Sequence, residues 1–164
     1  MLPDAVQKCA AFFVECRFPD VISSYLWIMQ KRLITIAGIS GAMAVALGAM
    51  AAHYLKSKLD SGMITASGLQ AFETAAKYQM YHSIVLLVIA LSAEKLNSRF
   101  VYKAAYCFMA GIVLFSGSLY ILSTAGLMGL ESVRWLGPVT PVGGLFFITG
   151  WLLLAFSAMR KEAK

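Results

Sequence analysis

The stretch LITIAGISGAMAVALGAMAAH, Leu33 to His53, decides the fold. From Leu33 to Ala52 it holds twenty residues without a charge. A helix rising ~1.5 Å per residue over that length spans ~30 Å, the thickness of a bilayer's hydrocarbon core. It reads as a transmembrane helix. Small residues ring it: Ser40, Ala44, Gly48 and Ala52 recur every fourth position, with Gly41 beside them. Gly38, Ala42, Ala46 and Ala49 form a second stripe that leads to His53. Small faces let another backbone approach closely. The helix is therefore expected to be the central packing element, set between neighbours and away from lipid, with His53 turned toward the start of the second span.

The rest of the 164-residue chain agrees with a membrane setting. It is 60% hydrophobic and 13% charged, against ~25% charged for a soluble domain. Fourteen Lys and Arg against eight Asp and Glu leave a net charge of +6. Basic residues flanking apolar spans follow from the positive-inside rule, and no basic stripe interleaved with aromatics is present, so nucleic acid is not an expected partner. Cys9, Cys16 and Cys107 form no C-x-x-C pair and no zinc-like spacing with histidine. Neither a disulfide framework nor a bound metal or cofactor is expected.

Residues 1–28 do not read as a signal peptide, because Asp4 precedes Lys8 and the AAFFV run stops at Glu15, Cys16 and Arg17. Met29 is followed by Gln30, Lys31, Arg32 and then the first span, and reads as the natural start, with the preceding residues an upstream extension. The alternative is an interfacial amphipathic segment using Phe12, Phe13, Tyr25 and Trp27.

Within residues 29–164, spans are expected near 33–54, 76–96, 103–125 and 139–159. SGMITASG marks a loop after the first, with Ser67 capping a helix that starts near Leu69. Only sixteen uncharged residues separate Lys77 from Glu94, about 24 Å of helix, so a charge must sit at the membrane edge. Glu73, one turn before Lys77, is placed for an interface ion pair. Glu94 to Arg99 form a short polar turn, and the third charge-free run is expected to end its helix near Ala125 or Gly126. Gly111 and Gly117 in the third span, and Gly143 and Gly144 in the fourth, add close-packing positions. Pro138 and Pro141 fit the entrance or first turn of the last helix.

Four spans put both termini on one side. With the amino terminus inside, Lys31, Arg32, Lys95, Arg99, Lys103, Arg160, Lys161 and Lys164 lie inside, against Lys56, Lys58, Lys77 and Arg134 outside. The sequence reads as an all-α membrane protein, an antiparallel four-helix transmembrane bundle with both termini cytoplasmic.

Three stretches in order carry a resemblance: GISGAMAVALGAMAAHYL from Gly38 to Leu55, AFETAAKYQMYH from Ala71 to His82, and TPVGGLFFITGW from Thr140 to Trp151. With AGIVLFSGSLY from Ala110 to Tyr120, they resemble the small membrane proteins grouped as domain of unknown function 423, whose animal relatives are called transmembrane protein 256. The likeness covers roughly Met29 to Met159. It implies a four-span protein of the bacterial inner membrane, or of an organelle membrane in a eukaryote, and implies no particular biochemical activity. Tyr54 stands where that family often has glycine.

Among polar residues, His53, Tyr78, Gln79 and His82 are the candidate site. In the expected topology, His53 closes the first span and His82 opens the second. Tyr78 and Gln79 flank His82 at helical spacing, whereas Glu73 falls on the opposite side. A structural role for the histidines is weighed against a proton or solute site. No G-x-S-x-G, H-E-x-x-H or G-x-x-x-x-G-K occurs, and no enzyme is expected. The expected role is structural, in assembly or in interaction, with the lipid bilayer and a homo-oligomer or another membrane protein as partners. The alternative is a transporter or channel for a small solute or protons, with a polar vestibule at the outer ends of spans one and two.

Overall fold

The computed structural model describes residues 4–92, 98–130 and 133–159, with side chains described from Trp27 onward apart from Ser98 and Arg134. Glu94, Lys95 and Asn97 of the expected turn, the basic tail from Arg160, and the aromatic side chains Phe12, Phe13 and Tyr25 lie outside the described set. The regular elements among the described residues are all helical, with no strand among them. That follows from the composition, since a backbone in hydrocarbon must satisfy its polar groups internally.

Helix α1, Asp4–Met50, runs through a π-helical turn, Ala51–Leu55, into α2, Lys56–Asp60. Helix α3 is Ala66–Ser92. Helices α4, Ser98–Gly111, and α5, Gly117–Thr124, are joined by a second π-helical turn, Ile112–Ser116. A 3-10 turn, Arg134–Leu136, precedes α6, Val139–Met159. Three stretches are long and apolar enough to cross a membrane: Trp27–Asp60, Arg99–Thr124 and Val139–Met159. Helix α3 falls short of them in hydropathy because Glu73, Lys77, Gln79 and His82 occupy its first two thirds.

Local chemistry sets the helix ends. Gly62, at φ +71°, and Gly129, at φ +65°, adopt the left-handed conformation that glycine tolerates best. Each closes a helix with paired bonds, Met63 N to Lys58 O with Gly62 N to Leu59 O, and Leu130 N to Ala125 O with Gly129 N to Gly126 O. Helix α3 begins at Ala66, three residues before the expected start near Leu69. Its cap is Thr65, whose Oγ1 accepts the Gly68 amide at 3.1 Å. Ser67, expected as the cap, already lies in the first turn and bonds Thr65 Oγ1 through its hydroxyl.

The centre of the molecule is α3. Its buried residues Phe72, Ala75, Ala76, Gln79, His82, Ser83, Leu86, Ile89 and Ala90 recur at three- and four-residue spacing. Helix α1 runs antiparallel beside it, pairing Gln30 with Ala90 at one end and Ser40 with Gln79 and Ser83 in the middle, while Ala51 and Leu55 cluster with Phe72 at the other. Helices α4 and α5 line α3 on another side, with Phe108 near His82 and Tyr120 against Phe72. The expectation that the Leu33–His53 helix is central is corrected. Leu33, Ala37, Ala44 and Ala51 are buried on the α3 side, whereas Gly38, Ala42, Ala46 and Ala49 lie exposed. At ~100° per residue these four fall on the back of α1, opposite the buried row. Smallness makes a helix approachable, but polarity decides which helix must be enclosed, and the enclosed one is α3.

Helices α4 and α6 interlock by a reciprocal code. F-x-x-G-x-x-x-F from Phe108 to Phe115 meets G-x-x-x-F-x-x-G from Gly143 to Gly150, read in the opposite direction. Phe108 covers Gly150, Phe147 covers Gly111, and the Phe115 backbone lies on Gly143. A Cβ on Gly150 would stand 2.7 Å from Phe108 Cε1. Glycine is needed here for close approach. Of the other expected packing positions, Gly41 meets Ser83 at 3.9 Å and Gly144 meets Phe115 at 3.9 Å, while Gly48 and Gly117 face open space and Ala52 is exposed. Gly150 was not among the expected positions.

Candidate functional site

The polar residues of α3 divide between two environments. Gln79 is 4% exposed and bridges three elements. Its Nε2 donates to Ser40 O of α1 at 2.9 Å, and its Oε1 accepts from the Tyr120 hydroxyl of α5 at 2.9 Å. Ser83 Oγ lies 2.7 Å from Ser40 Oγ and 2.7 Å from Gln79 O. The amide is engaged at both ends, which fixes its orientation between α1 and α5. A buried amide left without partners would lose its hydration with nothing in exchange.

His82 lies three residues further on, ~60° round the helix, and faces α6. Its ring stacks on Phe147 of α6, with centroids 3.6 Å apart and planes 4° from parallel. Phe108 stands at 5.4 Å and Trp151 at 6.4 Å, the latter edge-on. His82 Nδ1 is 2.7 Å from Tyr78 O. Since a carbonyl only accepts, the proton lies on Nδ1 and the bond stays within the helix. Tyr78 is partly exposed, its ring 4.9 Å from that of Phe115.

The structure therefore brings Tyr78 and His82 together, turns Gln79 to α1 and α5, and leaves His53 exposed on the π-helical turn after α1. His53 lies at the level of Phe72, where Ala51 and Leu55 pack, about three turns of α3 from His82. Glu73 and Lys77 form an exposed pair at 3.8 Å on the outer face of α3. Ser83 and Tyr120 join the Gln79 network without having been singled out as site residues. The signal for Ser83 was its i+4 position after Gln79; Tyr120 lies in an apolar run that gave none. At α5, Ser118 Oγ and Thr140 Oγ1 meet at 2.7 Å across to α6, while Ser123 and Thr124 donate to carbonyls of their own helix. Ser116 Oγ is buried without a partner among the described residues.

Chemically these groups hold helices together. Apart from Ser116, the hydroxyls and the amide pair with each other or with backbone carbonyls, and His82 sits in an aromatic stack. Among the described residues no three His, Cys, Asp or Glu side chains gather in one place.

The chain is similar to a series of bacterial membrane proteins. The UPF0382 membrane protein YwdK of Bacillus subtilis is 39% identical over 132 residues, covering 80% of this chain and 98% of the relative. A UPF0382 membrane protein of Haemophilus influenzae is 36% identical over 135 residues, covering 82% and 99%. The UPF0382 inner membrane protein YgdD of Escherichia coli is 36% identical over 135 residues, covering 82% and 95%. No solved structure matches the chain. Residues 47–144 match the family model described as "Protein of unknown function (DUF423)". By that match and by near full-length likeness to its relatives, this small integral membrane protein belongs to the DUF423 family.

Proposed function

We propose that the chain crosses the inner membrane four times with both termini cytoplasmic, and that its role is assembly with a second membrane helix, from its own copy or another protein, rather than catalysis or transport. Support for the fourth crossing comes from α3. Its 27 residues reach ~40 Å, and five residues join it to α2 and five to α4. Such short links leave its ends beside those of its neighbours, so a helix between two crossing helices crosses as well. The larger count of Lys and Arg at the α1-start and α3–α4 end supports the cytoplasmic orientation.

One observation carries the assembly role. The back of α1 exposes Gly38, Ala42, Ala46 and Ala49, and nothing lies within 4 Å of where a Gly38 side chain would begin. In a bilayer, small residues on an open helix face favour close packing by another helix. Native mass spectrometry of the protein released from its own membrane is expected to show a complex larger than the monomer. Gly38→Leu is expected to reduce that complex while leaving the monomer's thermal stability unchanged. A wild-type protein that is monomeric throughout, or a complex insensitive to Gly38→Leu, refutes the role. Transport would use His53, Tyr78, Gln79 and His82 as one vestibule, whereas Tyr78 and His82 lie together, Gln79 turns to α1 and α5, and His53 is exposed elsewhere. Proton flux in liposomes is expected to equal that of empty vesicles; flux that falls when both histidines are replaced would favour transport instead.

A further inference from the structure

Helix α4 turns Phe108 and Gly111 toward α6, and a different face, with Tyr102, Tyr106 and Met109, toward α1. Between α1 and that face runs a cleft. Its first part, about 290 Å³, is lined by Arg32, Ile36, Tyr102, Tyr106 and Met109 among others. Its second part, about 390 Å³, continues past Ile39, Met43, Ile112 and Val113. Ile36 and Met109 border both parts, so the two adjoin along α1. From Arg32 to Met43 it follows α1 for ~16 Å, about the depth of one leaflet's hydrocarbon layer.

One end of this track is charged and the rest is nearly all apolar. From Trp27 to Leu33 on α1, and over the first turns of α4, every charged residue is basic: Lys31, Arg32, Arg99 and Lys103. Lys31 sits over the Trp27 ring at 3.5 Å. Arg32 lines the cleft and has no carboxylate partner among the described residues. A guanidinium at the mouth of an apolar groove matches a phosphate above an acyl chain.

We propose that this cleft is a binding site for one anionic phospholipid, with Arg32 on the headgroup phosphate and an acyl chain along Ile36, Met109 and Val113. The proposal rests on the chain being a membrane protein and is independent of the assembly role. The full-length protein in mild detergent is titrated with phosphatidylglycerol or phosphatidylcholine, and the one-lipid adduct is measured by native mass spectrometry. Phosphatidylglycerol is retained roughly fivefold more than phosphatidylcholine, the size expected for one favourable basic contact at the surface. Arg32→Gln removes that preference. Lys31→Gln, an equal loss of charge outside the cleft, preserves it. Ile36→Trp fills the track and lowers retention of both lipids. Arg32 is exposed, so the lipid-free thermal midpoint of Arg32→Gln stays at the wild-type value and its readout stands even if Ile36→Trp perturbs the fold. Equal retention of the two lipids by the wild type overturns the site, as does a Lys31→Gln loss matching that of Arg32→Gln, which would mark a diffuse basic surface.

Discussion

Replacing Gly143 with alanine tests the interlock of α4 and α6 most directly. The added Cβ would meet the Phe115 backbone nitrogen, with Phe115 Cα and Cβ both at 2.8 Å. Backbone cannot rotate aside as a side-chain tip can, so α6 must move away from the π-helical turn and loosen the Phe147 and Phe108 contacts with it. Overpacking of this kind costs about 1–3 kcal/mol. The comparison is Gly48→Ala, where nothing lies within 4 Å of the new methyl and relief of glycine's backbone freedom contributes roughly 0.5–1 kcal/mol of stability. Gly143→Ala gains the same backbone term, so the two variants should differ by the overpacking cost, about 1–3 kcal/mol, in reversible denaturant unfolding in mixed micelles. Gly150→Ala falls between them, because its obstacle is the Phe108 ring at 2.7 Å. Combining Gly150→Ala with Phe108→Leu should recover part of the loss. If Gly143→Ala unfolds at the same denaturant concentration as Gly48→Ala, the close approach of α6 to Phe115 is wrong.

The Gln79 bridge should show in a double-mutant cycle. Gln79→Leu and Tyr120→Phe are each expected to destabilise, with a coupling of about 0.6 kcal/mol, the average for interhelical bonds in a membrane; zero coupling would mean the two groups do not meet. His82→Phe should keep near wild-type stability because the ring stack on Phe147 survives, while His82→Ala loses the stack, worth ~0.5–1.5 kcal/mol, and leaves a void besides. A stable His82→Phe protein with lost cellular function would assign the imidazole a chemical role and refute the structural one. Glu73→Gln should change stability by less than about 0.5 kcal/mol, since the exposed pair with Lys77 is weakly coupled. For topology, a cysteine at Ser61 should react with an impermeant reagent from outside intact cells and one at Ser98 only after permeabilisation; labelling of both from outside would remove the fourth crossing.

Helicity and membrane placement could be read from charge-free runs, because hydrocarbon leaves a chain few choices. The order of helices in space could not. Leu33 to His53 has small residues nearly all round, a pattern equally compatible with a helix enclosed on every side and with one packed on a single side. The deciding information lay in α3, where Phe72, Gln79 and Leu86 at seven-residue intervals, with Ala75, Ala76 and Ser83 between them and Ala90 one turn beyond, mark a continuous buried stripe. The π-helical turn at Ile112–Ser116 has no sequence marker, yet it brings the Phe115 backbone onto Gly143.

The two interfaces rely on different physics. Between α1 and α3, small residues bring the backbones near enough for Gln79 and Ser83 to reach Ser40, so direction comes from hydrogen bonds at the α1 carbonyl and hydroxyl. Between α4 and α6, the Phe108 and Phe147 rings fill the gaps at Gly150 and Gly111 and the Phe115 backbone lies on Gly143, so direction comes from shape. A bilayer gives little hydrophobic drive for helices to associate, which leaves these two means, bonding and close packing, to specify neighbours. Helix α3 sits where they meet: Gln79 bonds toward α1 and α5, and three residues later His82 stacks on the Phe147 that fills Gly111. That position explains why the most polar helix carries the centre. Its polar groups are tolerated because neighbours satisfy them, and those neighbours are held in register by the groups they satisfy.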